Sequence, residues 1–298
     1  MQLCMGLLSK ARVGVKKADI WAGKKILKSK TGLMNNISSH GKIVQHADAK
    51  IKKENSELYN LIVNGCTKVN NSCKSSEIKK MQEKFEKLMS DDKYSFSYAG
   101  YDGVTYKREM IDPAVNFPEI SSLITDEVIK TVEGYYSNGC FTIEHIACGK
   151  NFYVPENIRK NHEMFSNFWH FDFNKISEVK YFVYMSDVTE KDGPFHTLTK
   201  SRTKEIIEKG FNNRNDYNMP IEILEDPEHL TKMTGPTGTA FLGHPAVVLH
   251  RAGDPEVGRY RNMIQFLFQP SNEKLPKNWI KNVKSHKSQN HKYIPETK

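Results

Sequence analysis

The chain has 298 residues, 38% of them hydrophobic and 27% charged, with a formal net charge of +9 and a mean hydropathy of −0.61. This is enough chain to bury one large core, and no apolar run approaches the roughly 18 residues that a membrane span needs. Five cysteines (Cys4, Cys66, Cys73, Cys140 and Cys148) without C-x-x-C spacing argue against a disulfide framework or a structural zinc site.

Reduced thiols fit a cytoplasmic setting, and the opening Met1–Leu8 lacks the charged start and apolar length of a secretory signal. The positive charge is concentrated at the ends. Residues 1–53 hold 12 Lys and Arg against Asp19 and Asp48, and residues 274–298 hold 7 Lys against Glu296, which leaves 54–273 at −7. A nucleic-acid enzyme carries its positive charge along the groove that grips phosphate, so the acidic centre argues against nucleic acid as a partner. The basic termini read as solvated segments, with contact to an anionic surface as the functional alternative. The expected organisation is a basic extension over 1–55, a folded domain over 56–273 and a basic tail over 274–298.

In chain order, 6–53 is Lys- and Gly-rich with weak periodicity. The spacing of Ile78, Met81, Phe85, Leu88 and Met89 predicts a helix over 76–90, with Ser75 or Ser76 as its cap. Ile120, Leu123, Ile124, Val128 and Val132 predict a second over 119–133. From Phe141 onward, β-branched and aromatic residues between turn signals predict strands over 141–148, 166–172, 178–186, 194–199, 237–243, 246–250 and 261–269. A short helix, Thr203–Lys209, interrupts them. Helices followed by many short strands predict an α+β chain with a mostly β core, buttressed by N-terminal helices.

The segment Asn167-Phe168-Trp169-His170-Phe171-Asp172-Phe173 carries the chemistry. Residues two apart on a strand share a face, so His170 and Asp172 project together. With a third ligand from a distant strand they would form the 2-His-1-carboxylate triad of non-haem Fe(II) oxygenases. Ala246-Val247-Val248-Leu249-His250 delivers that histidine at the end of an apolar strand, and Arg261 opens a further one. A guanidinium beside such a site can clamp a dicarboxylate through paired, charge-assisted bonds. Asp172 has no easy bland reading, because a carboxylate within so aromatic a segment needs a partner. His46-Ala47-Asp48 has the same spacing but lies among lysines and reads as solvated surface. His145 and His244 read as hydrogen-bonded core residues, Trp169 as core, and His196 as a candidate to face the pocket.

These motifs together resemble the phytanoyl-CoA dioxygenase-like branch of the Fe(II)/2-oxoglutarate-dependent oxygenases. The resemblance rests on Trp169-His170-Phe171-Asp172, Gly193-Pro194-Phe195-His196-Thr197-Leu198, Gly238-Thr239-Ala240-Phe241-Leu242, His250-Arg251-Ala252-Gly253 and Arg261, and covers about 120–270. The family's Pro-Gly-Ser-His turn is replaced by Leu198-Thr199-Lys200-Ser201-Arg202, and Arg259 competes with Arg261 as the anchor; Arg261 has the family's distance from the histidine. The resemblance implies a double-stranded β-helix, a jelly roll, with Fe(II) between its two sheets on His170, Asp172 and His250. It further implies 2-oxoglutarate held by Arg261, O2 as oxidant, and Phe182 and Tyr184 as pocket walls. In halogenating relatives the aspartate is lost, so its retention points to hydroxylation of a small-molecule substrate with release of succinate and CO2. The other readings are a vestigial jelly-roll binding protein and a protein acting through its basic arms.

Overall fold

The computed structural model of the chain describes residues 43–283, apart from 45, 71–72, 101–102, 160–162, 173–176 and 212–219, together with 292–293. Most of the two basic termini lies outside the described residues. Among those described, no helix is long and apolar enough to cross a membrane, and Cys66, Cys73, Cys140 and Cys148 form no disulfide.

The described chain begins with two helices, α1 (Ala49–Glu54) and α2 (Ser56–Asn64). Asp48, the carboxylate of the surface pair His46-Ala47-Asp48, caps α1 by accepting from Ile51 N at 2.9 Å. Strand β1 (Cys66–Val69) and helix α3 (Ser75–Met89) follow. Helix α3 buries Ile78, Met81, Phe85, Leu88 and Met89, the face expected from their spacing. Its N-cap is Lys74, with no side-chain capping bond, so neither serine caps it. Strands β2 (Ser95–Ala99) and β3 (Thr105–Met110) come next. The helix expected over 119–133 is divided: a 3-10 turn, Pro118–Leu123, precedes α4 (Asp126–Tyr135). Pro118 starts the first piece, and Thr125 opens a new helix by accepting from Val128 N.

The rest supplies β4 (Phe141–Phe152), β5 (Val179–Tyr184), β6 (Phe195–Leu198), α5 (Lys200–Glu208), β7 (Leu230–Met233), β8 (Ala240–Gly243), β9 (His250–Ala252), β10 (Tyr260–Pro270) and β11 (Lys292–Tyr293). They form an eight-stranded sheet, β1-β8-β5-β10-β4-β3-β2-β11, antiparallel except where β11 joins β2, and a three-stranded antiparallel sheet, β7-β6-β9.

Two expected strands are corrected. Residues 166–172 make no regular strand, and only His170 pairs, as an isolated antiparallel bridge to His250. Phe165 and Ser166 have φ of 53° and 67°, a left-handed kink that keeps extended structure from starting there. Residues 246–250 are likewise not a strand. Pro245-Ala246-Val247 turn, Val247 N bonding to His244 O at 3.0 Å, so His250 opens a strand instead of ending one. The buried apolar run 246–249 therefore packs as a turn.

Alternation on β5 divides the core. Val179, Tyr181 and Val183 face the helices, in one cluster with Leu61, Phe85, Val128, Val132, Ile264 and Phe266. Phe182 and Tyr184 face the other way and pack with Phe195, Met233 and Phe241 between the sheets. The helix-facing cluster reaches back to Ile43 and forward to Trp279, so both basic segments are tied to the core where they meet it.

The altered turn at 198–202 has a structural role. Thr199 caps α5 by accepting from Arg202 N at 3.2 Å, and Lys200 Nζ donates to Ile62 O at 2.7 Å in the last turn of α2. Burial pushes the Lys200 ammonium down from 10.5 to about 8. The unfolded chain holds that proton to higher pH, so above the folded value the native state gains stability as pH rises. Urea unfolding near pH 7.5 and near pH 9.5 should show the wild type gaining about 2 kcal/mol on Lys200→Met between the two conditions. An unchanged difference would contradict the burial assignment.

Candidate metal centre

His170 and His250 are joined by reciprocal backbone bonds, His170 N to His250 O at 3.0 Å and His250 N to His170 O at 3.1 Å. Asp172 N donates to Pro245 O at 3.1 Å, which fastens the next stretch of the same segment. These three bonds bring two remote parts of the chain together. The imidazole centroids lie 4.2 Å apart. Asp172 Oδ1 is 3.5 Å from His170 Nε2, and Oδ2 is 3.9 Å from His250 Nε2. One ligand-type atom from each residue falls within 4.8 Å of the other two.

The ring orientations are set by the chain itself. His170 Nδ1 lies 2.6 Å from Phe168 O, and His250 Nδ1 lies 3.1 Å from Val248 O. A carbonyl oxygen can only accept, so each Nδ1 carries a hydrogen, and in the neutral ring Nε2 is the lone-pair nitrogen. Both Nε2 atoms face Asp172. His250 is 5% exposed, and burial, followed by the neighbouring His170, pushes it down to about 3, so it is neutral at ordinary pH. Burial alone would raise the Asp172 carboxyl. The neighbouring His170, His250 and Lys180 outweigh it and hold the group well below the usual carboxylate range. Two imidazoles that each offer Nε2 and one carboxylate, mutually near and nearly dry, suit a borderline divalent metal.

Arg261 is 2% exposed. It lies two residues before Met263 on β10, on the face that packs between the sheets beside Tyr184. Its guanidinium reaches one carbonyl, Gly253 O, at 3.4 Å, and its Nε has no hydrogen-bond partner among the described residues. Burying a cation so thinly satisfied is costly, and an anion would relieve that cost. Burial already lowers its pKa from the ordinary value. Arg259 is exposed, 3.9 Å from Asp192.

Tyr184 Oη accepts from Phe195 N at 3.0 Å, and Phe195 stacks on His250 with centroids 5.5 Å apart. Phe182, Phe195 and Phe241 pack ring on ring, 4.8–5.3 Å between centroids. His196, next on β6, turns the opposite way from Phe195, toward Trp169 at 6.4 Å. His244 is fully buried and bonds Tyr135 Oη at 2.6 Å, a core partner as expected. His145 is half-buried on β4. Sequence reasoning passed over Lys180, whose Nζ lies 2.5 Å from Asp172 Oδ2. Its signal was a lysine at an inward position of the otherwise apolar and aromatic β5.

The comparisons concern the fold. No protein-family model matches this chain, and no curated protein matches it by sequence. Among solved structures it is similar to the non-haem alpha-ketoglutarate-dependent epimerase SnoN from nogalamycin biosynthesis, with a TM-score of 0.52 and 14% identity over 75% of this chain and 84% of that one. It is also similar to HygX from Streptomyces hygroscopicus, solved with nickel and 2-oxoglutarate bound, with a TM-score of 0.52 and 17% identity over 74% of this chain and 88% of the other. The fold is thus one that such enzymes use.

The loops beside Arg261 touch closely. A Cβ on Gly193, whose φ is 67°, would lie 2.6 Å from Gly253 O, the carbonyl that Arg261 meets. Gly193→Ala should cost about 1–3 kcal/mol in urea unfolding through strain and clash. Stability equal to wild type would show that the loops part freely.

Proposed function

We propose that the chain is an Fe(II)- and 2-oxoglutarate-dependent oxygenase of the phytanoyl-CoA dioxygenase-like branch, oxidising a small molecule. The observation that carries this reading is the preformed triad of His170, Asp172 and His250, with both Nε2 lone pairs directed at the carboxylate. The strand order supports a double-stranded β-helix. In the large sheet the strands run β4-β10-β5-β8, and opposite them the small sheet continues through the bridge as His170-β9-β6-β7, so from β4 to β10 the chain alternates between the sheets except at the β6–β7 pair. The proposed domain is 56–273, with the extension anchored at Ile43 and Ile51 and the tail at Trp279. Of the similar structures, SnoN was crystallised with Fe3+, alpha-ketoglutarate and nogalamycin RO, and HygX with nickel, 2-oxoglutarate and hygromycin B. Those ligands support the metal, cosubstrate and small-molecule substrate proposed for this chain.

On this reading His170, Asp172 and His250 hold the iron, and Arg261 pairs with the far carboxylate of 2-oxoglutarate. The bound metal would supply O2 activation coupled to oxidative decarboxylation of the 2-oxo acid, giving succinate and CO2. The carbonyl that Arg261 meets lies three residues beyond His250, on the order of 10 Å along an extended chain. That spacing suits a five-carbon diacid chelated at one end. Tyr184 fixes the start of β6 through Phe195 N, while the Phe182–Phe195–Phe241 stack keeps water from between the sheets. Substrate would enter over the inner face of β10 and β4. Met263, Gln265, Leu267, Ala147 and Gly149 are only half-buried there, whereas Ile264, Phe266 and Phe268 on the opposite face are buried. Retention of Asp172 favours hydroxylation as the outcome.

Anaerobic addition of Fe(II) and 2-oxoglutarate should produce the weak visible charge-transfer band of the chelate, and Asp172→Ala should abolish it. Arg261→Met should weaken 2-oxoglutarate binding by about 10- to 100-fold while the metal still binds, since a charge-assisted pair contributes roughly 1.5–3 kcal/mol. Absence of the band in folded, iron-loaded wild-type protein would refute the proposal.

A further inference from the structure

Lys180 is the charged side chain at the triad to which the reading above gives no part. It occupies an inward position of β5, on the same face as Phe182 and Tyr184, and its side chain is only 17% exposed. An ammonium on so apolar a face is retained only if something answers its charge. Asp172 Oδ2 does so at 2.5 Å and Glu178 Oε1 at 3.6 Å, Glu178 being held in turn by Gln269 Nε2 at 3.3 Å from Oε2.

The two oxygens of Asp172 are therefore unequal. Oδ2 carries the lysine, while Oδ1 lies on the His170 side, 3.5 Å from Nε2. A carboxylate with both oxygens unengaged can take two positions on a metal, whereas one whose second oxygen is hydrogen-bonded is confined to one. A six-coordinate site held by two imidazoles and one oxygen keeps three positions, enough for a two-point chelate and O2. A two-point aspartate would leave one too few.

We propose that Lys180 is a positioning residue that holds Asp172 to single-oxygen ligation and so keeps open the coordination positions a 2-oxo acid needs. The proposal rests on the triad being the metal site. It predicts a split that disturbed packing would not produce. Without the ammonium the carboxylate is freer to grip a metal and no longer shares its charge, so metal affinity holds or rises. The affinity of the loaded protein for 2-oxoglutarate falls.

Calorimetric titration of Co(II) into metal-free protein, then of 2-oxoglutarate into the Co(II) form, tests this with wild type, Lys180→Met, Lys180→Gln and Lys180→Arg. Lys180→Met is expected to bind Co(II) at least as tightly as wild type and 2-oxoglutarate about ten-fold more weakly, a shift of about 1.4 kcal/mol. Lys180→Gln should follow it if the methionine variant fails to fold, and Lys180→Arg should restore 2-oxoglutarate binding. Parallel loss of Co(II) and 2-oxoglutarate affinity, or 2-oxoglutarate affinity unchanged by the neutral substitutions, would overturn the role given to Lys180. Wild-type protein that takes up no Co(II) would overturn the metal-site reading itself, and this proposal with it.

Discussion

The reciprocal backbone bond between His170 and His250 is the contact on which the arrangement depends. One residue comes from an irregular segment between β4 and β5, the other from the first position of β9, and neither segment would hold an imidazole in place alone. The bridge sets the rings side by side, and each ring's own carbonyl, two residues earlier, fixes its rotation. The same device is used twice, so the Nε2 atoms are oriented before any metal arrives. Preorganisation of this kind removes an ordering cost from binding.

Charge follows from that geometry. The two imidazoles flank one carboxylate in a mostly dry setting, and the Lys180 ammonium answers its charge. Arg261, on β10, is a buried cation with a single long bond to a carbonyl among the described residues. The space thus carries a satisfied negative group and an under-satisfied positive one, with the phenylalanine cluster packed between the sheets. A dianion with one chelating end complements both, which makes the electrostatics more informative than the triad alone. The helices do their work on the far side of the large sheet, where α3 and α4 cover its apolar face and stiffen β5 and β10, the strands that carry Lys180 and Arg261.

Much of this was legible in the sequence, for physical reasons. β-Branched and aromatic residues between turn signals marked β5 and β10, and period-3.6 spacing marked the buried face of α3, because burial of one helix face leaves a regular pattern. His170 and Asp172 were legible because their two-residue spacing keeps them together even without a regular strand. The segment around them was misread as a strand: aromatic residues such as Trp169 and Phe171 pack equally well on an irregular segment, and the left-handed turn at Phe165 and Ser166 has no glycine to announce it. The run 246–249 misled in the same way, being apolar because it is buried, while Pro245 turns the chain. Strands β2 and β3 escaped because Thr105-Tyr106-Lys107-Arg108-Glu109-Met110 is too polar to read as strand. Lys180 went unnoticed because its partners lie in other segments, and only a folded chain shows which lysine on a strand is answered by which carboxylate.

The account stands on a single metal position shared by three side chains, and anomalous diffraction from crystals soaked in Co(II) locates it most directly. The account predicts one strong peak per chain, about 2.0–2.2 Å from Nε2 of His170, from Nε2 of His250 and from one oxygen of Asp172. A peak elsewhere, or one contacting His170 and Asp172 while the imidazole of His250 points away, would contradict it.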